Sequence, residues 1–373
     1  MISLNNRTPQ SNHRLSTGAT SATAAACMLV ATGVTVPSVL AESPGSTIQL
    51  ELLGERPIEE GLADLLPSGR MLVLQGNKIL REVAPGSGTF DEVGTVAEGL
   101  ISSFGASFFS VSPDGTYIAF GDNNFGNGRV YVSLTAFLDG RTLPVIGIDL
   151  ENFAADWLSP TQLGVAYGNP VTGLGEISIV EITFPLASTV VLENIGGASG
   201  GIGFDHAGNL YTGNGFDFIP DEGTETGDVK VFDATTVQDV LAGNRGAVDF
   251  ETEGTGVADR LSAGGLVTDP AGNLFVGGGD NFGTSGDFNY FAVLNGDAVQ
   301  DVINGVDVGP ITDADTFTAD PSLLTDETRY SAWYDDVARE WLIRSTDDAT
   351  ILYRYVVSRR IDDSDAIADA VTP

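Results

Sequence analysis

The 373-residue chain carries 51 acidic side chains against 17 basic ones, a formal charge of −34, with 42% apolar content and 19 phenylalanines. The apolar share is enough for a large core and excludes wholesale disorder, while the charge repels nucleic acid and anionic lipid. One cysteine, Cys27, and two histidines, His13 and His206, leave little material for disulfide, thiol or imidazole chemistry.

Residues 1–41 hold no Asp or Glu and only two basic side chains, Arg7 and Arg14, before an apolar, small-residue stretch from Ala24 to Val36. With Val39-Leu-Ala41 at the cleavage position, 1–41 reads as a signal peptide, and the expected product is a secreted or periplasmic chain starting at Glu42. A transmembrane anchor fits less well, because Gly33 and Pro37 interrupt a short run. A lipoprotein reading of Ala24-Ala-Ala-Cys27 is disfavoured by an apolar stretch that mostly follows the cysteine. Cleavage removes Cys27, His13 and two cations, so the remainder has 17 − 2 = 15 basic residues and a formal charge of 15 − 51 = −36. No membrane insertion is expected of that remainder, and it is expected to be a monomer.

Thr47-Ile-Gln-Leu-Glu-Leu52 is the first strand signal, and Gly61-Leu-Ala-Asp-Leu-Leu-Pro-Ser-Gly69 with Arg70–Leu74 and Ile79–Val83 forms the first unit. The second is Phe108-Phe-Ser-Val-Ser-Pro-Asp-Gly-Thr-Tyr-Ile118, followed by Asp122-Asn-Asn-Phe-Gly-Asn-Gly128 and Arg129–Val132. Trp157-Leu-Ser-Pro160, Leu163–Tyr167 and Ile177–Ile182 make the third. The fourth and fifth open on nearly the same words, Gly201-Ile-Gly-Phe-Asp-His-Ala-Gly-Asn-Leu-Tyr211 and Gly265-Leu-Val-Thr-Asp-Pro-Ala-Gly-Asn-Leu-Phe275, which read as strand, tight turn, strand. Val237-Gln-Asp-Val240 recurs as Val299-Gln-Asp-Val302, and Thr235 to Gly243 has room for about two turns of helix. The sixth unit, Tyr330–Asp335, Glu340–Arg344 and Thr350–Val357, shows three strands.

Counted back from the turn residue, equivalent positions fall at Gly61, Ser107, Ala154, Gly200, Gly264 and Tyr330, at intervals of 46, 47, 46, 64 and 66 residues. Six units of several short strands predict an all-β, six-bladed β-propeller over 42–358. Thr47–Leu52 would complete the sixth blade and remove a free sheet edge, leaving 359–373 as a polar tail.

The Gly-x-x-x-Asp-x-x-Gly-Asn-Leu-(Tyr/Phe) pattern at 201–211 and 265–275 resembles blades of NHL-repeat and gluconolactonase-like propellers, and Ser112–Ile118 resembles TolB-type blades. The gluconolactonase resemblance implies one calcium at the axis, held by Glu, Asn and Asp at the starts of inner strands. The matching positions here are Gly61, Ser107, Ala154, Gly200, Gly264 and Tyr330, none a carboxylate. A small slip in that alignment brings in Asp64 or Asp156.

Other chemistry is sparse. His206 sits in a hairpin turn, which argues against Ser-His-Asp and His-metal catalysis, and the glycines lie in hairpins and not in a phosphate loop. Asp205, Asp269 and Asp114 are turn aspartates suited to accepting backbone N–H groups two residues on. The acidic loops, with Asp122 and Asn124, then Asp280, Asn281 and Asp287, and also Asp217 to Asp228, supply calcium-type oxygens at short spacing, although such hairpins also form without an ion. Trp157 and Trp333, both two residues before the turn position, are candidate stacking platforms for a sugar or peptide, against the alternative that they pack between blades.

The leading functional reading is a secreted, non-catalytic propeller that binds a protein or carbohydrate, with calcium as the candidate cofactor. The alternatives are a metal-dependent hydrolase or lyase acting on lactones or sugar acids through Asp64 and Asp156, and an extracellular matrix or surface-layer component.

Overall fold

The computed structural model describes residues 46–122, 124, 126–196, 200–213, 229–258, 263–277, 291–306, 309–311, 316–317, 331–345 and 348–361. Short apolar and β-branched runs between Gly, Asn, Asp and Pro turns pair into six sheets. After β1 (Ser46–Pro57), blade one is β2 (Leu62–Leu65), β3 (Met71–Gln75), β4 (Lys78–Glu82) and β5 (Phe90–Thr95). Blade two is β6 (Ala106–Val111), β7 (Tyr117–Asp122), β8 (Arg129–Leu134) and β9 (Ile146–Asp149). Blade three is β10 (Ala154–Ser159), β11 (Gln162–Gly168), β12 (Gly175–Glu181) and β13 (Ala187–Ile195). Blade four runs β14 (Ile202–Phe204), β15 (Leu210–Gly213), β16 (Val229–Phe232), then α1 (Ala234–Leu241), β17 (Val248–Asp249) and α2 (Phe250–Glu253) before β18 (Thr255–Ala258). Blade five is β19 (Gly265–Thr268), β20 (Leu274–Gly277), β21 (Phe291–Leu294), α3 (Gly296–Ile303) and β22 (Thr316–Phe317). Blade six is β23 (Ala332–Asp335), β24 (Glu340–Arg344) and β25 (Ile351–Ile361), with β1 as its outer strand.

The innermost strands β2, β6, β10, β14, β19 and β23 each touch the next, and β23 returns to β2, so the sheets close as a six-bladed propeller. The core follows from that closure. Both faces of a blade are covered by neighbours, and one apolar cluster fills each of the six interfaces, such as Leu74, Ile79, Phe109 and Phe120 between blades one and two. Gly201 and Gly203 let blade five approach closely, because a Cβ at either would lie within about 3 Å of the carbonyl oxygens of Ala263 or Leu266.

The repeated signature is explained by one local network. The Asp205 carboxylate accepts the N–H groups of Ala207 (2.9 Å) and Asn209 (2.9 Å) and the Asn209 side-chain amide (2.7 Å). The Asn209 Oδ1 then accepts the N–H of Ala234 at 2.8 Å, where α1 begins. Asp269 and Asn273 repeat this, ending on the N–H of Gly296 at the start of α3. Asp114 likewise takes the N–H of Thr116 at 2.9 Å. The recurring Val-Gln-Asp-Val places valines three apart on one face, and Val237 and Val240 of α1, like Val299 and Val302 of α3, are buried. The helix expected over Thr235–Gly243 therefore runs Ala234–Leu241, with a twin in blade five.

Two features differ from the sequence expectation. β17 pairs parallel with β13 (Leu192↔Val248, Glu193↔Asp249), so the excursion of blade four adds a fifth strand to blade three. β25 continues to Ile361, past the expected boundary at 358, because β1 pairs it from Pro57↔Ile351 to Ser46↔Ile361.

A buried ion cluster pins this closure. Arg56 on β1 donates to Glu82 of blade one at 2.5 Å, to the Gly69 carbonyl at 2.9 Å and to Asp335 of blade six at 3.4 Å. The three side chains are 3%, 0% and 3% exposed. Glu82 also accepts the N–H groups of Met71 and Gly88, and Asp335 those of Val337 and Ala338, so both desolvated carboxylates are well supplied with partners. Arg56→Met strands two buried carboxylates and is expected to lower unfolding stability by about 3–5 kcal/mol. Arg56→Lys, which keeps the charge but not the fork, should lose less, and urea unfolding of both variants measures the difference.

Candidate hub site

The inner strands run beside the central axis, where no further strand covers their backbone groups. Side chains take over that role. Asp64 on β2 accepts the N–H of Leu65 (2.8 Å), the N–H of Val111 in blade two (2.6 Å) and the hydroxyl of Ser110 (3.1 Å). Asp156 on β10 accepts the N–H of Trp157 (2.8 Å) and, across to blade four, of Phe204 (2.8 Å). The Thr268 hydroxyl donates to the Phe204 carbonyl at 2.9 Å, and Arg344 donates to the Gly61 carbonyl, which joins blade six to blade one. Both carboxylates are therefore blade-to-blade stitches.

Burial pushes the Asp64 carboxyl up to about 6 despite its hydrogen bonds. It pushes Asp156 up to about 7, with the charge of Asp64 adding to the effect. Both keep a partly open face, because they line a hub cavity of about 530 Å³ whose mouth is formed by the hairpin turns at Pro67, Pro113, Pro160, His206 and Asp336. Trp333, Tyr334 and Phe204 contribute aromatic walls.

Hairpin register corrects one expectation about the tryptophans. β10 has a bulge at Leu158, with Trp157↔Leu163 but Ser159↔Gln162. Trp157 is thereby the counterpart of Leu65, Val111, Phe204, Thr268 and Tyr334, whereas Trp333 matches Asp64 and Asp156. The two tryptophans do not share a position, since counting from the turn misses the bulged residue. Trp157 is 5% exposed and stacks on Tyr117 of blade two with centroids 6.4 Å apart, so most of it is inter-blade core. Trp333 is half-buried, with the Arg344 guanidinium 5.6 Å from its ring centre.

The calcium candidates divide. Asp122 is 8% exposed and its carboxylate accepts the N–H of Ser102 at 2.8 Å, while the Asn124 N–H donates to the Asp122 carbonyl. Asp280, Asn281 and Asp287, like Asp217 to Asp228, lie outside the described residues. Among the described residues no group of three or more acidic or histidine side chains is arranged to hold a metal. An axial calcium of the lactonase scheme does not fit the hub: Gly61, Ser107, Ala154, Gly200 and Gly264 offer no carboxylate, and the two carboxylates further along already accept backbone N–H groups. Even the nearby amide of Asn152, which no sequence signal picked out, takes the Ser107 hydroxyl on its oxygen.

No family profile and no curated protein matches the chain. Among solved structures, the chain is similar to a luciferin-regenerating enzyme at 12% identity and TM-score 0.46, covering 84% of this chain and 97% of that one. It is similar to a gluconolactonase from Xanthomonas campestris at 10% identity and TM-score 0.44, covering 83% and 89%. A chain of a nidogen–laminin complex is similar at 12% and 0.42, covering 74% and 94%. Likenesses this loose carry no activity or ligand to this chain.

The raised carboxyls make hub stability depend on pH. Folded Asp64 below about pH 6 and folded Asp156 below about pH 7 hold protons that unfolded side chains, at the ordinary 3.8, have released. Stability is therefore expected to rise as pH falls from 8 to 5 and to decline as the pair ionises. The gain is about 2 kcal/mol once the open faces are discounted for solvent screening. Urea midpoints at the two pH values check it, and Asp156→Asn should remove the larger part of the difference.

Proposed function

We propose that this chain is a non-catalytic binding propeller, exported from the cell, that receives its partner at the hairpin-side mouth of the hub. The observation that carries the reading is the engagement of Asp64 and Asp156: the two carboxylates a hub hydrolase would use are fixed by backbone N–H groups of adjacent blades, above which an open cavity of about 530 Å³ remains. A cavity of that size, with aromatic walls and a few convergent polar groups, is the usual form of a small-ligand or side-chain pocket. His206, the one histidine beyond the leader, is exposed in its turn and has no place in a triad.

One observation favours the hydrolase alternative. Carboxyls held near 6 and 7 in a cleft suit general acid and base work close to neutral pH. Assays with δ-gluconolactone and p-nitrophenyl acetate, with and without calcium, separate the readings. No turnover above buffer is expected, and Asp64→Asn should cost about 1–3 kcal/mol in unfolding stability through its lost blade-to-blade bonds. Turnover that disappears in both Asp64→Asn and Asp156→Asn while the fold persists would overturn the binding reading.

Calcium remains a proposal for the acidic loops alone, tested by the melting temperature under chelator titration. Export is tested by sequencing the N-terminus of the secreted protein, expected at Glu42.

A further inference from the structure

We propose that the hub cavity is a site for an organic cation, an ammonium or guanidinium group carried on a slender apolar stem. This rests on the binding reading of the same cavity and adds the chemical class of its occupant.

The cavity comes first. Its volume of about 530 Å³ admits a small organic molecule or a long side chain. Its walls combine Trp333, Tyr334, Phe204 and Leu266 with Asp64 and Asp156, and among the described lining residues there is no Lys or Arg. Acidic groups on the outside of this chain say little, since 51 of its residues are acidic. Asp64 and Asp156 are different, because they sit inside the hub, where burial penalises their charge and the charge of Asp64 raises the Asp156 carboxyl further. Sequence composition does not place carboxylates there, and neither forms an ion pair among the described residues.

Their hydrogen-bonding capacity is not exhausted. A carboxylate has roughly four acceptor sites. Asp64 uses three of them and Asp156 two. An entering cation would use the remaining lone pairs, relieve the repulsion between the two groups and lay its stem on the aromatic wall. The Trp333 ring already holds the Arg344 guanidinium over one face, so this indole is positioned where cation contact is favourable. A bare divalent ion is a poorer occupant. It needs six or more oxygens, whereas Asp64 and Asp156 are the carboxylates of the inner strands. The other lining aspartates, Asp205, Asp335 and Asp336, sit at the hairpin turns, where Asp205 holds its own turn and Asp335 holds Arg56, and no three acidic side chains among the described residues converge. An ammonium group needs only two or three acceptors and gains from the apolar wall.

The same chemistry has two sources, a free amine or a Lys or Arg side chain of a partner protein, and the experiment separates them. Phenethylamine, its neutral isostere 2-phenylethanol, a blocked Gly-Gly-Lys-Gly-Gly peptide and its norleucine counterpart are titrated calorimetrically into the full chain at pH 8. Phenethylamine is expected to bind saturably and at least tenfold more tightly than the alcohol, and tenfold more weakly in Asp156→Asn. Trp333→Leu, at a half-buried position, gives a second variant in case the aspartate change disturbs folding, and should also weaken the amine severalfold. Tighter binding of the lysine peptide than of the amine assigns the natural source to a protein side chain, and the reverse to a small molecule. Equal affinity for amine and alcohol would overturn the cation assignment and leave the binding reading standing. No saturable binding of any of the four would also overturn the assignment, whereas the binding reading itself falls on lactone or ester turnover that is lost in both Asp64→Asn and Asp156→Asn with the fold intact.

Discussion

The structure depends on the packing of each blade against its neighbours, because no single four-stranded sheet can bury both its faces alone. The apolar side chains of this protein are distributed accordingly, one cluster to each interface between blades. Such a ring has one weak point, the seam where the chain's two ends must meet. Here the seam is held by the long β1–β25 ladder and by Arg56, which bridges blade one and blade six from a fully desolvated position. A hydrophobic side chain at 56 would bury as much surface, but it would leave Glu82 and Asp335 without a counter-charge.

Besides the seam pair Glu82 and Asp335, carboxylates among the described residues serve three further purposes, distinguished by where they lie. On the outside they are solvated and contribute mainly net charge. At hairpin turns, Asp205 and Asp269 organise the backbone and pass the hydrogen bonding on, through Asn209 and Asn273, to a helix that covers the neighbouring interface. In the hub, Asp64 and Asp156 substitute for missing ladder bonds between inner strands. The last use is the costly one, since it places two ionisable groups in a poorly solvated space within electrostatic reach of each other.

That cost is the reason the binding site is proposed at the hub cavity. A purely structural stitch could be made by a hydroxyl, as Thr268 does between blades four and five. Two aspartates in place of such hydroxyls give the cavity a negative floor beneath aromatic walls, a surface with a definite chemical preference. Blades four and five add their own asymmetry. Their helices α1 and α3 brace the outer side of the ring, and β17 extends blade three, so the longer repeats reinforce the fold as well as lengthening its loops.

The sequence by itself determined the ring. Turn chemistry such as His-Ala-Gly-Asn and Pro-Asp-Gly is local, so six repeats, the hairpin after each inner strand, the closing N-terminal strand and the helix after strand three of blade four were all legible from neighbouring residues. Asp64 and Asp156 were visible as hub candidates, but their partners were not, because Val111 and Phe204 are about 47 residues away and belong to the next blade. Arg56 gave no signal at all, since its meaning comes from Asp335, 279 residues further on. The register of Trp157 was also hidden, as a bulge at Leu158 shifts every side chain before it relative to a count from the turn. Only tertiary structure could decide these points, because burial, inter-blade hydrogen bonds and register are set by which strand lies alongside, and that information is not carried by the strand itself.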